Sequence, residues 1–222
     1  MKVRSSKTLT NASLRAVRDK MGQRGKDEPL HASDIYQCAR KTVASRMYGE
    51  PDLSREDIEI MSPGYAVQEY FWGEEPESIE WEGALFSIDG WADGAVLEMK
   101  TTGAYVKYLE NPQPAWLDRT RSYCVIKGTL EAYILCFSFT SRRFVEWHIE
   151  YSQQEIDEEA KWLRKRIPEL QDYIKRGELP PVTERRYAYE CKYCSFKDHE
   201  DVNCRPLIKA AGMRITPPQK GK

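Results

Sequence analysis

Asp89, Glu98 and Lys100 stand in the stretch IDGWADGAVLEMKTTG, residues 88–103, whose other residues are those of a buried β-hairpin. Glu98 and Lys100 are two apart, so on an extended strand they project from one face while Leu97 and Met99 face the other. Asp89 lies near the end of the preceding strand and can approach Glu98 across the turn. Two carboxylates at close range repel unless a cation lies between them, and hard divalent ions such as magnesium take oxygen ligands. A lysine beside that ion can orient or deprotonate a water and offset charge on a pentavalent phosphate. The spacing therefore allows metal-assisted hydrolysis of a phosphate ester. The plain alternative is a solvated hairpin with ordinary surface charges. Asp93, followed by Gly94, is read as a turn residue, since Asp-Gly is favoured in two-residue hairpin turns.

The chain has six cysteines. Cys124 and Cys136 sit in apolar runs, SYCVI and YILCFSF, and read as buried structural thiols. Cys191-Lys-Tyr-Cys194 has the C-x2-C spacing that lets two thiolates grip one metal centre, and Cys204 follows after nine residues. With Cys38 they make four thiolates, enough for a 4Fe–4S cluster or an all-thiolate zinc site, which ligand type alone does not separate. Reduced cysteines without metal are the alternative.

The elements that must position these groups follow from periodicity and punctuation. Asn11 to Gly22 reads as a short polar helix in an N-terminal arm, residues 1–30. Ser33 caps a helix through DIYQCARKTVASRMY that Gly49 ends. Residues 50–60 read as a charged connector, and Ser62-Pro63 as the start of a helix GYAVQEYFW. One strand is expected over 79–89 and another over 95–101, with a tight turn at Ala-Asp-Gly. A helix near 115–127 closes at Gly128, and LEAYILCFSF and RFVEWHIEY form two further strands. A long amphipathic helix runs from about Gln153 to Lys175, with Ile156, Ala160, Leu163, Ile167 and Leu170 on one stripe. The order predicts an α/β sandwich around a small mixed sheet flanked by helices. Residues 31–212 read as a single domain, with a helix at 31–49 and a cysteine-bearing segment at 182–206, and 213–222 as a disordered tail.

Charge excludes a molecule coated in positive potential: 34 basic side chains face 35 acidic ones, for a net charge of −1. A local basic groove remains compatible with that balance, because clustered charge binds phosphate. No apolar run follows the first basic residues and no apolar stretch is long enough to span a bilayer, so a soluble cytoplasmic protein without membrane contact is expected. In the tail, YAYECKYCSFK interleaves aromatics with lysines, which suits stacking on bases or packing around the cysteines.

Asp89, then Glu98-Met99-Lys100, resembles the Asp…(Asp/Glu)-x-Lys signature of the PD-(D/E)xK nuclease superfamily. One cysteine upstream and three near the C-terminus resemble the RecB-like exonucleases that carry an iron–sulfur cluster, among them CRISPR-associated and phage-encoded members. The resemblance spans about residues 33–205 and implies a restriction-endonuclease-like core. It implies that Asp89 and Glu98 hold magnesium or manganese, that the Met99 carbonyl is a third ligand, and that Lys100 is the catalytic lysine. It implies further that Cys38, Cys191, Cys194 and Cys204 hold a 4Fe–4S cluster, with zinc as the alternative, clamping the C-terminal segment to the core. Where the family has Gly-x-x-x-His before the hairpin, this chain has Gly64-Tyr-Ala-Val-Gln68 followed by Glu69, so Gln68 or Glu69 would ligate in the histidine's place. Where the family has Gln-x-x-x-Tyr near DNA, this chain has Arg119-x-x-x-Tyr123, and an arginine suits phosphate contact.

The expected function is a metal-dependent DNA exonuclease acting on single strands or ends. It would serve recombination, repair or DNA processing, with protein partners in a recombination or CRISPR-type complex. The alternatives are a catalytically weak DNA-binding or assembly subunit and a zinc-clamped restriction-type endonuclease. The sequence leaves oligomeric state and cleavage polarity open.

Overall fold

Alternation along EAYILCFS puts Ala132, Ile134, Cys136 and Ser138 on one face, all of them fully buried. This strand and its neighbours form the centre of the computed structural model, which describes residues 27–50, 55–72, 76–181, 190–196, 199–202 and 204. Residues 1–26 of the expected arm, the expected tail and most of the segment from 182 onward lie outside the described residues, whereas Leu30, assigned to the arm, is buried in a strand.

The strands form two small mixed sheets, where the sequence predicts one. The first has order β1-β3-β2, from β1 (Leu30–His31), β2 (Glu77–Trp81) and β3 (Ala84–Ile88), with β1 parallel and β2 antiparallel to β3. The second has order β4-β5-β6-β7, from β4 (Gly90–Ala92), β5 (Ala95–Thr102), β6 (Glu131–Ser138) and β7 (Arg143–Glu150). Only the β5–β6 pair in it is parallel. The single strand expected over 79–89 is in fact the end of a hairpin. Glu82 (φ 50°) and Gly83 (φ 76°) both take positive φ, and Trp81 pairs with Ala84 across them. The second hairpin uses the same chemistry at Asp93 (φ 51°) and Gly94 (φ 83°), closing Ala92 against Ala95. Positive φ at both turn positions matches the twist of the flanking strands.

The helices are α1 (Ala32–Tyr36), α2 (Ala39–Tyr48), α3 (Arg55–Trp72), α4 (Pro114–Lys127), α5 (Gln153–Arg176) and the short α6 (Glu190–Tyr193). The helix expected from Ser33 to Tyr48 is broken at Gln37 and Cys38, which leaves Cys38 as the N-cap of α2. Asp34 accounts for the break: its carboxylate turns back to the His31 amide and pairs with buried Arg46 at 2.9 Å, while its carbonyl takes the Thr42 hydroxyl. The helix expected to begin at Ser62-Pro63 begins at Arg55 and carries Pro63 inside it. Pro63 has no N–H to give the Glu59 carbonyl, and the Ser62 hydroxyl approaches that carbonyl at 3.5 Å instead.

α4 is the crossover joining parallel β5 and β6, and α5 lies along the core. Ser152 caps α5 with a capping box to Glu155, and Gly177 ends it in the left-handed region. Ile156, Leu163, Ile167 and Leu170 of α5 pack with Phe86, Val96, Tyr123, Ala132 and Ile35 in one apolar cluster. No described helix is long and apolar enough to cross a membrane.

Candidate active site

The edge of β5 explains why a buried hairpin carries charges. β4 pairs only with residues 95–97, so from Glu98 onward that edge has no described strand beside it. Asp89 forms the bend between β3 and β4, and its Oδ2 accepts the Met99 main-chain N–H at 2.8 Å. A side chain thus takes the place of the next ladder bond and fixes Asp89 beside the Glu98-Met99-Lys100 run.

Glu98 points inward, 1% exposed, and ion-pairs with two cations, Lys100 and Arg119. Its Oε1 accepts from the Lys100 ammonium and lies 3.4 Å from Arg119 Nη1. Its Oε2 is buried and has no hydrogen-bond partner among the described residues. The Lys100 ammonium also donates to the Met99 carbonyl at 3.1 Å, so one cation bridges two of the oxygens expected to hold a metal. Burial pushes the Asp89 carboxyl from its ordinary 3.8 up to about 7. The Glu98 charge adds to that rise, while Lys100, the Met99 amide and Arg119 pull the other way. Burial works against the Arg119 charge too, but the Glu98, Tyr123 and Asp89 charges outweigh it and raise the guanidinium pKa.

Asp89, Met99, Lys100, Gln68 and Arg119 line one open cleft of about 500 Å³, together with Met61, Gly64, Val67 and Thr101. α3 forms its wall on one side and α4 on the other. Gly64 permits the close approach of α3, because a Cβ there would stand 3.2 Å from Thr101 Oγ1. One turn later Gln68 Nε2 donates to Asp89 Oδ1 at 2.9 Å. Glu69 is exposed and is absent from the cleft lining, as the next residue on a helix must turn about 100° away. Tyr123, one turn after Arg119, is 2% exposed. Burial first, then the Glu98 charge, holds its hydroxyl well above the usual tyrosine range. What Tyr123 can touch is the interior side of that carboxylate. Thr101 was not singled out by sequence, although the strand period carries it along one face with Met99.

Four of the cysteines lie along α2, Cys38 as its N-cap and three packed about its middle. Cys204 is buried with Phe196, Val202 and Ala44, and Cys191 and Cys194 pack against the same nucleus. Arg40 of α2 stitches this segment to the core by donating to the Pro180 and Val202 carbonyls at 2.7 and 3.1 Å. Burial pushes the Cys38 thiol up to about 11; the Lys41 and Arg40 amides oppose this, and the Glu190 and Cys194 charges add to it. Cys194 and Cys204 are raised by burial as well, and each feels the Cys191 thiol. Among the described residues, however, no group of three or more His, Cys, Asp or Glu side chains is placed to hold a metal.

No protein-family model matches the sequence, and no curated protein sequence matches it. Among solved structures the chain is similar to the crystal structure of SSO0001, with TM-score 0.55 and 16% identity, over 85% of this chain and 94% of that one. That likeness shows a shared fold. Weaker likenesses are to LHK-Exo in complex with dAMP (TM-score 0.49, 16% identity, 67% of this chain and 90% of that one). The alkaline exonuclease LHK-Exo from Laribacter hongkongensis itself gives TM-score 0.46 at 15% identity, over 74% of this chain and 95% of that one.

Proposed function

We propose that this chain is a divalent-metal-dependent DNA nuclease that hydrolyses phosphodiesters as an exonuclease, at single strands or ends. The observation that carries the reading is that Asp89 and Lys100 line one cleft while Glu98 lies buried behind Lys100, its Oε1 held by that ammonium and its Oε2 without a hydrogen-bond partner among the described residues. Two carboxylates that repel each other, one of them neutral until about pH 7, form a donor set that a divalent cation would complete. Asp89, Glu98 and the Met99 carbonyl would hold magnesium or manganese. Such an ion would polarise the phosphodiester and offset the charge that builds on it.

The chain's own groups do the rest. Gln68 orients Asp89 by its hydrogen bond, and the Met99 amide fixes the same carboxylate from the other side. Lys100, freed from Glu98, stands in the cleft to orient the attacking water and neutralise the phosphate. Arg119 lines the same cleft and offers a planar fork to a non-bridging phosphate oxygen. Water attacks in line: its oxygen forms a new P–O bond and gives up a proton to solvent, and the bond to the departing ester oxygen breaks as that oxygen takes a proton from solvent.

A four-cysteine site, iron–sulfur or zinc, belongs to this proposal as a structural clamp, and no catalytic step passes through it. Its support is the apolar nucleus that Cys191, Cys194 and Cys204 share and the electrostatic reach of Cys194 to Cys38. The rival reading, a catalytically weak DNA-binding or assembly subunit, draws on Gln68, whose amide donates to Asp89 where a ligating histidine is expected. Cleavage of linear single-stranded DNA with magnesium or manganese decides between them. Glu98→Ala and Lys100→Ala should abolish cleavage while binding persists, and closed circular DNA should resist. Parent-like cleavage in both variants removes the nuclease reading.

A further inference from the structure

Beyond the catalytic strand, residues 103–110 carry two exposed tyrosines with a lysine between them in space. Tyr105 is 52% and Tyr108 68% exposed, among the most open aromatic side chains described. Their rings meet edge to face at 6.4 Å, and Lys107 Nζ lies over both, 5.7 Å from Tyr105 and 4.8 Å from Tyr108. Exposed aromatics usually belong to pliable loops. This one is pinned at successive residues.

The Thr140 hydroxyl donates to the Gly103 carbonyl, the Ser138 hydroxyl to the Ala104 carbonyl, and the Val106 amide donates to Ser141 Oγ. The Ala104 amide donates to Thr102 Oγ1, and Val106–Tyr108 closes into a 3-10 turn. Further along, Trp147 Nε1 reaches the Glu110 carbonyl. The backbone under the two rings is therefore held by the β6–β7 turn and its neighbours, and the apolar faces stay in water at no gain to the core.

The platform is also next to the cleft. Thr101 lines the cleft wall, and Tyr105 follows four residues later, so the two are within about 14 Å even if the chain were fully extended. Rigid rings that open to solvent and carry a cation match the chemistry of a base with its phosphate. The face of any base can stack on an aromatic, and a lysine beside it meets the backbone charge.

We propose that Tyr105, Lys107 and Tyr108 form a stacking platform for unpaired bases of single-stranded DNA adjoining the scissile phosphate. This rests on the nuclease reading for its substrate class and adds a binding subsite outside the cleft. The site takes bases without selecting among them, since it offers stacking and charge and no base-edge code.

The test is anisotropy of a labelled deoxythymidine oligonucleotide in EDTA, where no cleavage occurs, against an abasic oligonucleotide of the same length. The Tyr105→Ala/Tyr108→Ala double variant should bind the deoxythymidine strand at least about tenfold more weakly, and the double phenylalanine variant should match the parent. The abasic strand should bind parent and alanine variant alike. Equal binding of the deoxythymidine strand by parent and alanine variant overturns the proposal. So does loss of binding in the phenylalanine variant, which would mean hydroxyl contacts, or a parent that does not bind the strand. Thermal unfolding of each variant confirms folding, which exposed positions should leave unchanged. Cleavage by the parent with manganese is scored separately: its absence removes the nuclease reading and leaves the stacking result to be judged on binding alone.

Discussion

The Asp89 carboxylate holds the main-chain N–H of Met99 at 2.8 Å, so the residue between Glu98 and Lys100 is fixed by the first acid of the site. The same carboxyl is pushed up to about 7 by burial and by Glu98. In the unfolded chain Asp89 ionises near its ordinary 3.8, whereas in the folded chain it keeps its proton to about 7. Between those values the unfolded state has lost a proton that the folded state retains, so stability falls as pH rises, and the cost is complete above about 7. Without metal, the parent should lose melting temperature across that window relative to Asp89→Asn, which keeps an acceptor for Met99 and has nothing to ionise. Added magnesium or manganese should stabilise the parent more as pH rises to about 7, because the ionised carboxylate is the ligand. Thermal unfolding from about pH 5 to 8 in EDTA checks it. Parallel curves for parent and variant would refute the assignment.

Lys100 bridges Glu98 and the Met99 carbonyl, occupying with its ammonium the oxygens a divalent ion would need. Lys100→Met removes that competitor while keeping most of the stem's packing. Cleavage should fall by about 10²- to 10⁴-fold, the usual range for a lost proton-transfer or charge-offsetting group. Divalent affinity should rise in the same variant. Calorimetric titration with manganese reads the second effect independently of activity, and an affinity that drops would mean the lysine supports the metal and does not oppose it.

Gly64 sets how closely α3 approaches β5. An alanine methyl there meets Thr101 Oγ1 at 3.2 Å, so the helix or the threonine must give. Overpacking of this kind costs about 1–3 kcal/mol, partly offset by the roughly 1 kcal/mol by which alanine favours a helix over glycine. Gly64→Ala should move Gln68 away from Asp89 and lower activity severalfold. Thr101→Ala removes the obstructing hydroxyl, so the double variant should recover both stability and activity relative to Gly64→Ala. Additive effects of the two changes would show that the contact does not set the helix position.

The proposed catalytic trio is legible in the sequence because it is local. Asp89, Glu98 and Lys100 sit within one hairpin whose Asp93-Gly94 turn announces itself, and the strand period alone puts Glu98 and Lys100 on one face. Glu82-Gly83 makes the same turn without an Asp-Gly or Asn-Gly signature, so the two strands of the first sheet read as one in the sequence. Pro63 looked like a helix start, since nothing in the sequence says that Ser62 covers the freed Glu59 carbonyl. The break before Cys38 depends on Asp34 meeting Arg46 twelve positions away, a tertiary contact that local propensity does not contain. Tyr105 and Tyr108 matter through exposure and through the clamp beneath them, and neither is written in the periodicity.

The four cysteines make the last prediction, because the C-terminal segment has two candidate fastenings. Arg40 ties α2 to the Pro180 and Val202 carbonyls, and Phe196 and Val202 pack on Ala44, so some attachment exists without metal. A metal joining Cys38 to Cys191, Cys194 and Cys204 would close a loop running most of the chain, a constraint worth roughly 5 kcal/mol in unfolded-chain entropy. Protein isolated without oxygen should then carry iron or zinc, and iron would give it visible absorbance. Cys191→Ala should lose that metal and become sensitive to proteolysis after Leu179, while Arg40→Ala should keep the metal and loosen only modestly. Metal-free parent protein, with Cys191→Ala as resistant to protease as the parent, would leave Arg40 and the apolar nucleus as the whole of the attachment.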